Sequence, residues 1–185
     1  YVQAATGAGL NVYGHTLAWH PQQPVGWLTK LISGKPDPNS EQEYTEVASK
    51  DFRTSQNVGW SSDKTQYGYT ITFDATNGMK VHTTKICDNS WDVQFVAIDN
   101  VVTEVEKSCK MTITMRGSKA GTLHSKLGDF SYTPSTAIDI PFTTEWQDVQ
   151  VDYKGIVESS FLMLQCGDFV GDIYIKNIKF EGYKG

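Results

Sequence analysis

Apolar and polar residues alternate in five short segments of the C-terminal part of the chain: 69–73, 79–83, 110–116, 148–153 and 172–178. Alternation with a period of two places every second side chain on one face, which is typical of a β-strand buried on one side only. Glycine, asparagine, aspartate and proline residues between the segments predict turns. The pattern predicts an all-β fold, an antiparallel β-sandwich or jelly roll.

The N-terminal segment has a different pattern. Residues 12–18 form a near-continuous apolar run, which is typical of a parallel strand buried on both faces. Alanines at helical spacing and a Gly-x-Gly stop precede this run, so residues 1–9 predict the end of a helix. One helix end followed by one strand cannot form a domain, so residues 1–32 are interpreted as a single helix–strand step.

A boundary separates the two patterns. Around residues 33–48 the chain contains two prolines, a glycine and charges of both signs, with few apolar residues. This composition is typical of a linker. The predicted organisation is an incomplete helix–strand segment at 1–32, a linker at 33–48 and a folded module at 49–185.

Composition limits the classes of partner. The 185 residues carry a formal net charge of -5 and contain no basic cluster, which argues against nucleic acid. No apolar run is long enough to span a bilayer. We expect a monomer with a single core. Of the three cysteines, Cys109 and Cys166 have apolar neighbours and predict buried thiols rather than a zinc site, and one disulfide remains an open alternative.

The strand predicted at 110–116 has two distinct faces. Apolar residues at 111, 113 and 115 predict a core face, whereas Thr112, Thr114 and Arg116 lie on the other. A solvated outer face accounts for such polar residues in most sandwiches. Five aromatic residues, more than a core alone needs, fall at loops or strand edges among polar residues: Trp60, Trp91, Phe130, Tyr132 and Trp146.

Aromatic platforms beside polar side chains suit a sugar ligand. A sugar ring offers flat C–H faces and a rim of hydroxyls, which amide, carboxylate and guanidinium groups can hydrogen-bond. Trp91 with Asp92 and Gln94, and Arg116 opposite, supply such a set. For Arg116 and Gln165, a surface salt bridge or a polar pair on a sheet face is an equally weighted alternative.

The N-terminal segment Gly14–Trp27, GHTLAWHPQQPVGW, resembles the third-strand signature of family 10 glycoside hydrolases, which are xylanases. The resemblance implies that residues 1–32 are a partial catalytic-domain remnant, the helix end and third strand of a (β/α)8 barrel, and that His15 and Trp19 contact sugar in an intact enzyme. A retaining glycosidase needs two carboxylates about 5 Å apart. The family's Asn-Glu segment is absent, and the pairs Thr45-Glu46 and Thr103-Glu104 lack the strand context. We therefore expect no catalytic residues and no hydrolysis by this chain.

Four later segments, Ser90–Phe95, Thr114–Gly117, Phe142–Gln147 and Tyr174–Ile178, are together similar to the jelly-roll carbohydrate-binding modules of families 4 and 22. The resemblance implies that Trp91 lines a glycan cleft, with Gln94 beside it, and that Trp146 is structural. The predicted carbohydrate-binding residues, from this resemblance and from the residue patterns, are Trp91, Trp60, Tyr132, Gln94, Arg116 and Gln165.

The closing strand departs from that resemblance at one position. Such modules often hold a structural calcium ion through an aspartate where this chain has Lys176. An ammonium group cannot ligate a cation that prefers several oxygen ligands. We therefore expect no cofactor and no metal, although other carboxylates leave calcium open.

Both resemblances imply one architecture, a binding module inserted after the third strand of a family 10 endo-1,4-β-xylanase. The expected function is non-catalytic binding of xylan and xylo-oligosaccharides on a concave sheet face, which targets the rest of the parent chain to its substrate. Another β-glucan as ligand, or a structural or protein-interaction insert, are the alternatives. The resemblance also implies an extracellular or cell-surface bacterial location.

Overall fold

The computed structural model describes residues 44–129, 135–155 and 159–183. These residues belong to one structural unit, Glu43–Gly185. The predicted barrel segment with His15 and Trp19 lies outside the described residues, and so does the predicted ligand contact Tyr132.

The described residues form ten strands and very little helix. The strands are β1 Tyr44–Asp51, β2 Tyr69–Asp74, β3 Gly78–Thr83, β4 Gln94–Val102, β5 Ser108–Gly117, β6 Gly121–Gly128, β7 Ser135–Phe142, β8 Gln147–Lys154, β9 Ser159–Gln165 and β10 Gly171–Tyr183. A four-residue helix, α1, covers Lys64–Tyr67, and a 3₁₀ turn covers Ser90–Asp92. In this described part of the chain, no helix has the length and apolar character that crossing a membrane requires.

The strands form two antiparallel sheets. The six-stranded sheet has the order β2-β3-β10-β5-β8, with β1 also paired to β10, and the four-stranded sheet has the order β4-β9-β6-β7. The long strand β10 pairs with β3 through residues 171–175 and with β1 through residues 177–183. Its other edge pairs with β5 through residues 173–182. The predicted all-β antiparallel sandwich is confirmed.

The core lies between the inner faces of the two sheets. The three apolar positions of β5 predicted as core, Met111, Ile113 and Met115, are all fully buried. Phe95 of β4 and Leu164 of β9, from the other sheet, belong to the same buried cluster. The alternation of β5 therefore places its remaining side chains on the outer face of the six-stranded sheet, away from the core.

The module begins earlier than the sequence predicts. Strand β1 starts at Tyr44, within the segment 33–48 predicted as a linker. Backbone pairing with β10 holds this strand in place, from Tyr44 opposite Tyr183 to Ala48 opposite Phe180. Because the segment contains few apolar residues, it shows no clear alternation, and only the partner strand reveals it as part of the sheet.

The three cysteines are all free thiols in the structure, so none forms the disulfide left open by the sequence. Burial raises the pKa of Cys109 to about 11 and that of Cys166 to about 12. Burial also raises the pKa of the less buried Cys87. Since the thiolate is the reactive form, these thiols are protected at neutral pH.

We therefore expect slow modification by a disulfide reagent such as DTNB at pH 8 in the native protein. In guanidinium chloride, where the protein is unfolded, all three thiols should react rapidly with DTNB. Replacing Cys87 by serine should remove most of the residual native reactivity, because Cys109 and Cys166 are buried. Rapid reaction of two thiols in the native protein would contradict the buried positions of Cys109 and Cys166.

Candidate functional site

A cleft of about 770 Å³ opens on the outer side of the four-stranded sheet. Its walls come from three places: the segment before α1 together with α1 itself, the 3₁₀ turn before β4, and the polar residues of β4, β6 and β9 that face away from the core. Four of the six predicted carbohydrate-binding residues line it, namely Trp60, Trp91, Gln94 and Gln165. The fold thus brings together residues that are up to 105 positions apart in the sequence, from 60 to 165.

Trp60 lies on a short segment that pairs with β4 as an additional edge. Backbone hydrogen bonds join Gly59 N to Val96 O at 2.9 Å and Val96 N to Trp60 O at 2.8 Å. Ser61 pairs with the core residue Phe95, so the adjacent Trp60 points to the opposite, outer face. Its side chain is 51% exposed. The pairing therefore holds a largely exposed indole on a backbone that cannot move freely.

Trp91 occupies the middle of the 3₁₀ turn and is 58% exposed. The carboxylate of Asp92 accepts a hydrogen bond from Asn89 N at 3.0 Å and closes the turn. Gly167, two residues after the end of β9, donates its N–H to Ser90 O at 2.8 Å. Asp92 and Gly167 thus hold the backbone of the turn that carries Trp91 by hydrogen bonds.

The floor between the tryptophans is polar. Gln94 and Gln165 lie directly opposite each other on β4 and β9. The side-chain amide of Gln165 donates to Gln94 Oε1 at 2.7 Å, and Gln94 itself is only 3% exposed. Gln94 therefore positions Gln165. The partly exposed Gln165 keeps its carbonyl oxygen and a second N–H that can bind a ligand hydroxyl.

Five cleft residues are not predicted as binding residues from the sequence, namely Ser62, Asp63, Gln66, Tyr67 and Lys126, whereas Asp92 belongs to the set predicted around Trp91. One signal for part of this set does exist. Asp63 caps α1 by accepting a hydrogen bond from Gln66 N at 2.9 Å, and a polar residue followed three positions later by glutamine is a known helix-start pattern. Lys126 had no comparable signal, because alternation in β6 does not reveal which strands lie beside it.

His124 extends the polar surface beyond Gln165, its partner in the pairing of β6 with β9. The imidazole bridges two carboxylates, with Nδ1 2.7 Å from Asp139 and Nε2 2.7 Å from Asp168. Partial burial acts to lower the pKa of His124, but the hydrogen bonds to Asp168 and Asp139 outweigh it and the pKa is raised. The protonated imidazole, with two N–H donors, thus links β6, β7 and the turn after β9.

This raised pKa predicts a pH dependence of stability. The stabilisation by His124 is fully present below the pKa of an unfolded histidine, about 6.5. It is lost as the pH rises through the higher pKa of the folded state. Melting temperatures of the wild type and of His124→Gln, measured from pH 6 to 9, should therefore converge with rising pH. A difference that stays constant or widens would contradict the proposed bridge.

The structure does not bring Arg116 to this cleft, so the prediction that it lies opposite Trp91 in one site is corrected. Arg116 lies on β5, in the six-stranded sheet, and points to the outer face of that sheet. Its guanidinium carbon is 4.5 Å from the ring centre of Tyr174 and 5.3 Å from that of Trp146. Alternation identifies the face of a strand that a residue occupies, but not the sheet that the strand joins.

Lys176, the residue at the expected calcium-ligand position, packs against an aromatic ring. Its ammonium nitrogen lies 4.1 Å from the ring centre of Trp146, a cation–π geometry. The residue that departs from the calcium pattern therefore packs against an aromatic ring. Within residues 44–129, 135–155 and 159–183, no group of three or more histidine, cysteine, aspartate or glutamate side chains is arranged to hold a metal ion.

No protein-family model matches the sequence, and no curated protein does. Solved structures do match. A structure described as "BiXyn10A CBM1 APO" is 25% identical with a TM-score of 0.64, over 76% of this chain and 99% of that one. The chain has the fold of a carbohydrate-binding module.

Two further structures show the same fold at lower identity. The CBM22-1 xylan-binding domain from Paenibacillus barcinonensis Xyn10C has a TM-score of 0.53 at 12% identity, over 79% of this chain and 99% of that domain. A structure described as "CBM4 structure and function" has a TM-score of 0.51 at 15% identity, over 63% and 81% of the two chains. The structural neighbours thus include modules of families 4 and 22, to which the sequence motifs are similar.

Proposed function

We propose that this chain binds a β-1,4-linked glycan, xylan in the first instance, in the cleft between Trp60 and Trp91 and does so without catalysis. One observation carries the proposal. Two tryptophans, 51% and 58% exposed, are held on hydrogen-bonded backbone around a floor of paired glutamines. Exposed apolar groups of this size usually mark a binding surface, because keeping them in water is unfavourable.

The energetics of stacking set the expected affinity. By analogy with bases stacking on aromatic side chains, each sugar ring on an indole contributes about 1 to 3 kcal/mol. Ordering a flexible glycan consumes a large part of this gain. Two tryptophans and one glutamine amide therefore predict dissociation constants in the micromolar range or weaker. The cleft volume of about 770 Å³ leaves room for several sugar units along the sheet.

Two observations support xylan over other glycans. The segment Gly14–Trp27 resembles the third strand of family 10 xylanases. The fold neighbour with 25% identity is described as a module of a protein named Xyn10A. In the proposed role, the module tethers an endo-1,4-β-xylanase to its polymer and raises the local substrate concentration. Such a protein would act outside the cell or at the surface of a bacterium.

Isothermal titration with xylohexaose, cellohexaose and mixed-linkage glucan tests the proposal, alongside a reducing-sugar assay on xylan. We expect xylohexaose to bind most tightly and no sugar to be released. Tighter binding of cellohexaose or mixed-linkage glucan would mean that the ligand is another β-glucan and not xylan. If none of the three binds, the glycan proposal fails and a structural or protein-interaction role takes its place. Release of reducing sugar would contradict the non-catalytic role.

A further inference from the structure

The outer face of the six-stranded sheet carries a second group of aromatic and charged residues. We name it the cationic aromatic patch, and it consists of Lys80, Arg116, Trp146, Tyr174 and Lys176. Tyr174 of β10 lies opposite Lys80 of β3 on one side and opposite Arg116 of β5 on the other. Trp146 is the residue directly before β8, and β8 pairs with β5. The patch therefore lies on the other sheet from the cleft.

The rings and cations of this patch contact one another closely. The rings of Trp146 and Tyr174 meet edge to face, with centres 6.4 Å apart. The Arg116 guanidinium carbon is within 5.3 Å of both ring centres. Lys176 lies 4.1 Å from the centre of Trp146, and Lys80 lies 5.8 Å from that of Tyr174. Three cations thus surround two partly exposed rings.

The positive charge of the patch is poorly compensated. Among the described residues, neither Arg116 nor Lys176 forms an ion pair, and Arg116 Nε is buried without a hydrogen-bond acceptor. Lys80 is 3.6 Å from Asp172, whose carboxylate already holds His82 at 2.6 Å. Partly buried cations without a carboxylate are unfavourable, so an external anion would stabilise this arrangement.

We propose that the cationic aromatic patch is a second glycan site, selective for a sugar that carries a carboxylate, a uronic acid unit. A guanidinium binds a carboxylate through two parallel hydrogen bonds, and Lys176 adds a second positive charge beside it. Trp146 and Tyr174 offer apolar surface to the sugar ring. A neutral sugar would leave the cations uncompensated and should bind less well.

A groove beside the patch has room for the neighbouring sugar units. It holds about 400 Å³ on the same sheet face and includes Thr114, Asn177 and Asp148. Thr114 Oγ1 lies 2.6 Å from Asp148 Oδ1 and 2.9 Å from Asn177 Oδ1. Thr114 and Asn177 are paired directly, one row along the sheet from Arg116 and Tyr174. Hydroxyl, amide and carboxylate groups of this kind suit the hydroxyls of an adjoining pyranose.

The test uses the full chain with Trp91→Ala, a change that removes one platform of the cleft on the other sheet. Two probes are compared by ¹⁵N-¹H NMR titration, xylotetraose and xylotetraose bearing one glucuronic acid branch. We expect the acidic probe to shift the resonances of Trp146 and Arg116 and the neutral probe to leave them unchanged. Raising the salt concentration from 50 to 500 mM should weaken the acidic complex, because the attraction is between exposed charges.

Two variants identify the groups responsible. Arg116→Gln should weaken binding of the acidic probe about tenfold, as expected for losing one charge-assisted contact. Lys110→Gln is the matched control, because Lys110 also lies on the outer face of β5 and contacts a ring, that of Tyr44 at 4.2 Å. It should leave binding unchanged. If Arg116→Gln unfolds the protein, Lys176→Gln makes the same comparison from β10.

Three results would overturn the second site: no shift at the patch with the acidic probe, equal shifts with both probes, or equal losses in Arg116→Gln and Lys110→Gln. Sodium acetate at the same concentration is a further arm, and shifts as large as those of the acidic probe would reduce the patch to an unselective anion site. The proposal does not depend on the cleft. Loss of xylohexaose binding in Trp91→Ala therefore tests the cleft alone.

Discussion

Replacing Trp91 by alanine should weaken binding of xylohexaose about 5- to 150-fold while the protein remains folded. The side chain is 58% exposed, so little packing is lost from the core. Exposed substitutions usually change the free energy of unfolding by no more than about 0.5 kcal/mol. Loss of a stacked sugar removes about 1 to 3 kcal/mol of binding free energy, which is roughly 5- to 150-fold in affinity. From a dissociation constant of about 1 μM, such a loss raises the value to about 5 to 150 μM, which isothermal titration can measure.

Trp146→Ala is the matched control for this prediction. Trp146 is the one tryptophan of the described residues that does not line the cleft, and it contacts Arg116, Tyr174 and Lys176. We expect this variant to be less stable than Trp91→Ala and to keep its affinity for xylohexaose. If Trp91→Ala fails to fold, Trp91 is a structural residue. If it folds and binds xylohexaose as the wild type does, the cleft is not the glycan site.

Replacing Gly167 by alanine should weaken both stability and glycan binding. A methyl group at this position would lie 2.2 Å from Asn89 O and 3.0 Å from Ser90 O, both backbone atoms of the segment that presents Trp91. Because backbone cannot turn aside as a flexible side chain can, the 3₁₀ turn must shift. Forced overpacking of this kind costs about 1 to 3 kcal/mol. Chemical denaturation measures the loss of stability, and titration with xylohexaose measures the displacement of Trp91.

Gly155→Ala separates the two effects. Its added methyl group would meet Glu104 O at 2.1 Å, a comparable backbone clash in a different part of the chain. Gly155 forms hydrogen bonds with Glu106 and Lys107, and these residues do not line the cleft. This variant should lose a similar amount of stability and keep its affinity under conditions where it is folded. Equal losses of affinity in both glycine variants would mean that Gly167 does not act through the Trp91 turn.

The sequence predicts the fold class because five of the ten strands alternate clearly between apolar and polar residues. The five alternating segments correspond to β2, β3, β5, β8 and β10, all of which lie in the six-stranded sheet. The four-stranded sheet is harder to predict. Strand β4 is buried on both faces through Phe95, Val96 and Ala97, so its residues do not alternate. Strand β6 has a polar residue, Ser125, at a buried position, which interrupts the apolar alternation of that strand. The Ser125 hydroxyl donates a hydrogen bond to Ile138 O at 2.6 Å.

Local chemistry identifies some of the residues that line the cleft, and their binding role stays a prediction. Trp60 and Trp91 stand among polar residues in loops, and such exposed aromatics are recognisable without a structure. Gln94 and Gln165 meet only because β4 and β9 are paired. Arg116 has the same type of polar strand neighbours but belongs to the other sheet. Strand order is a property of the whole fold, so the local sequence pattern does not contain it.

The most direct test of the glycan cleft is a ¹⁵N-¹H NMR titration with xylohexaose that follows the indole N–H resonances of the tryptophans. Trp60 and Trp91 line the cleft, whereas Trp146 lies on the six-stranded sheet. We predict saturable shifts of the Trp60 and Trp91 resonances, with the Trp146 resonance unchanged. Shifts at Trp146 alone, or no shift of any indole resonance at millimolar xylohexaose, would contradict the assignment of the cleft as the glycan site.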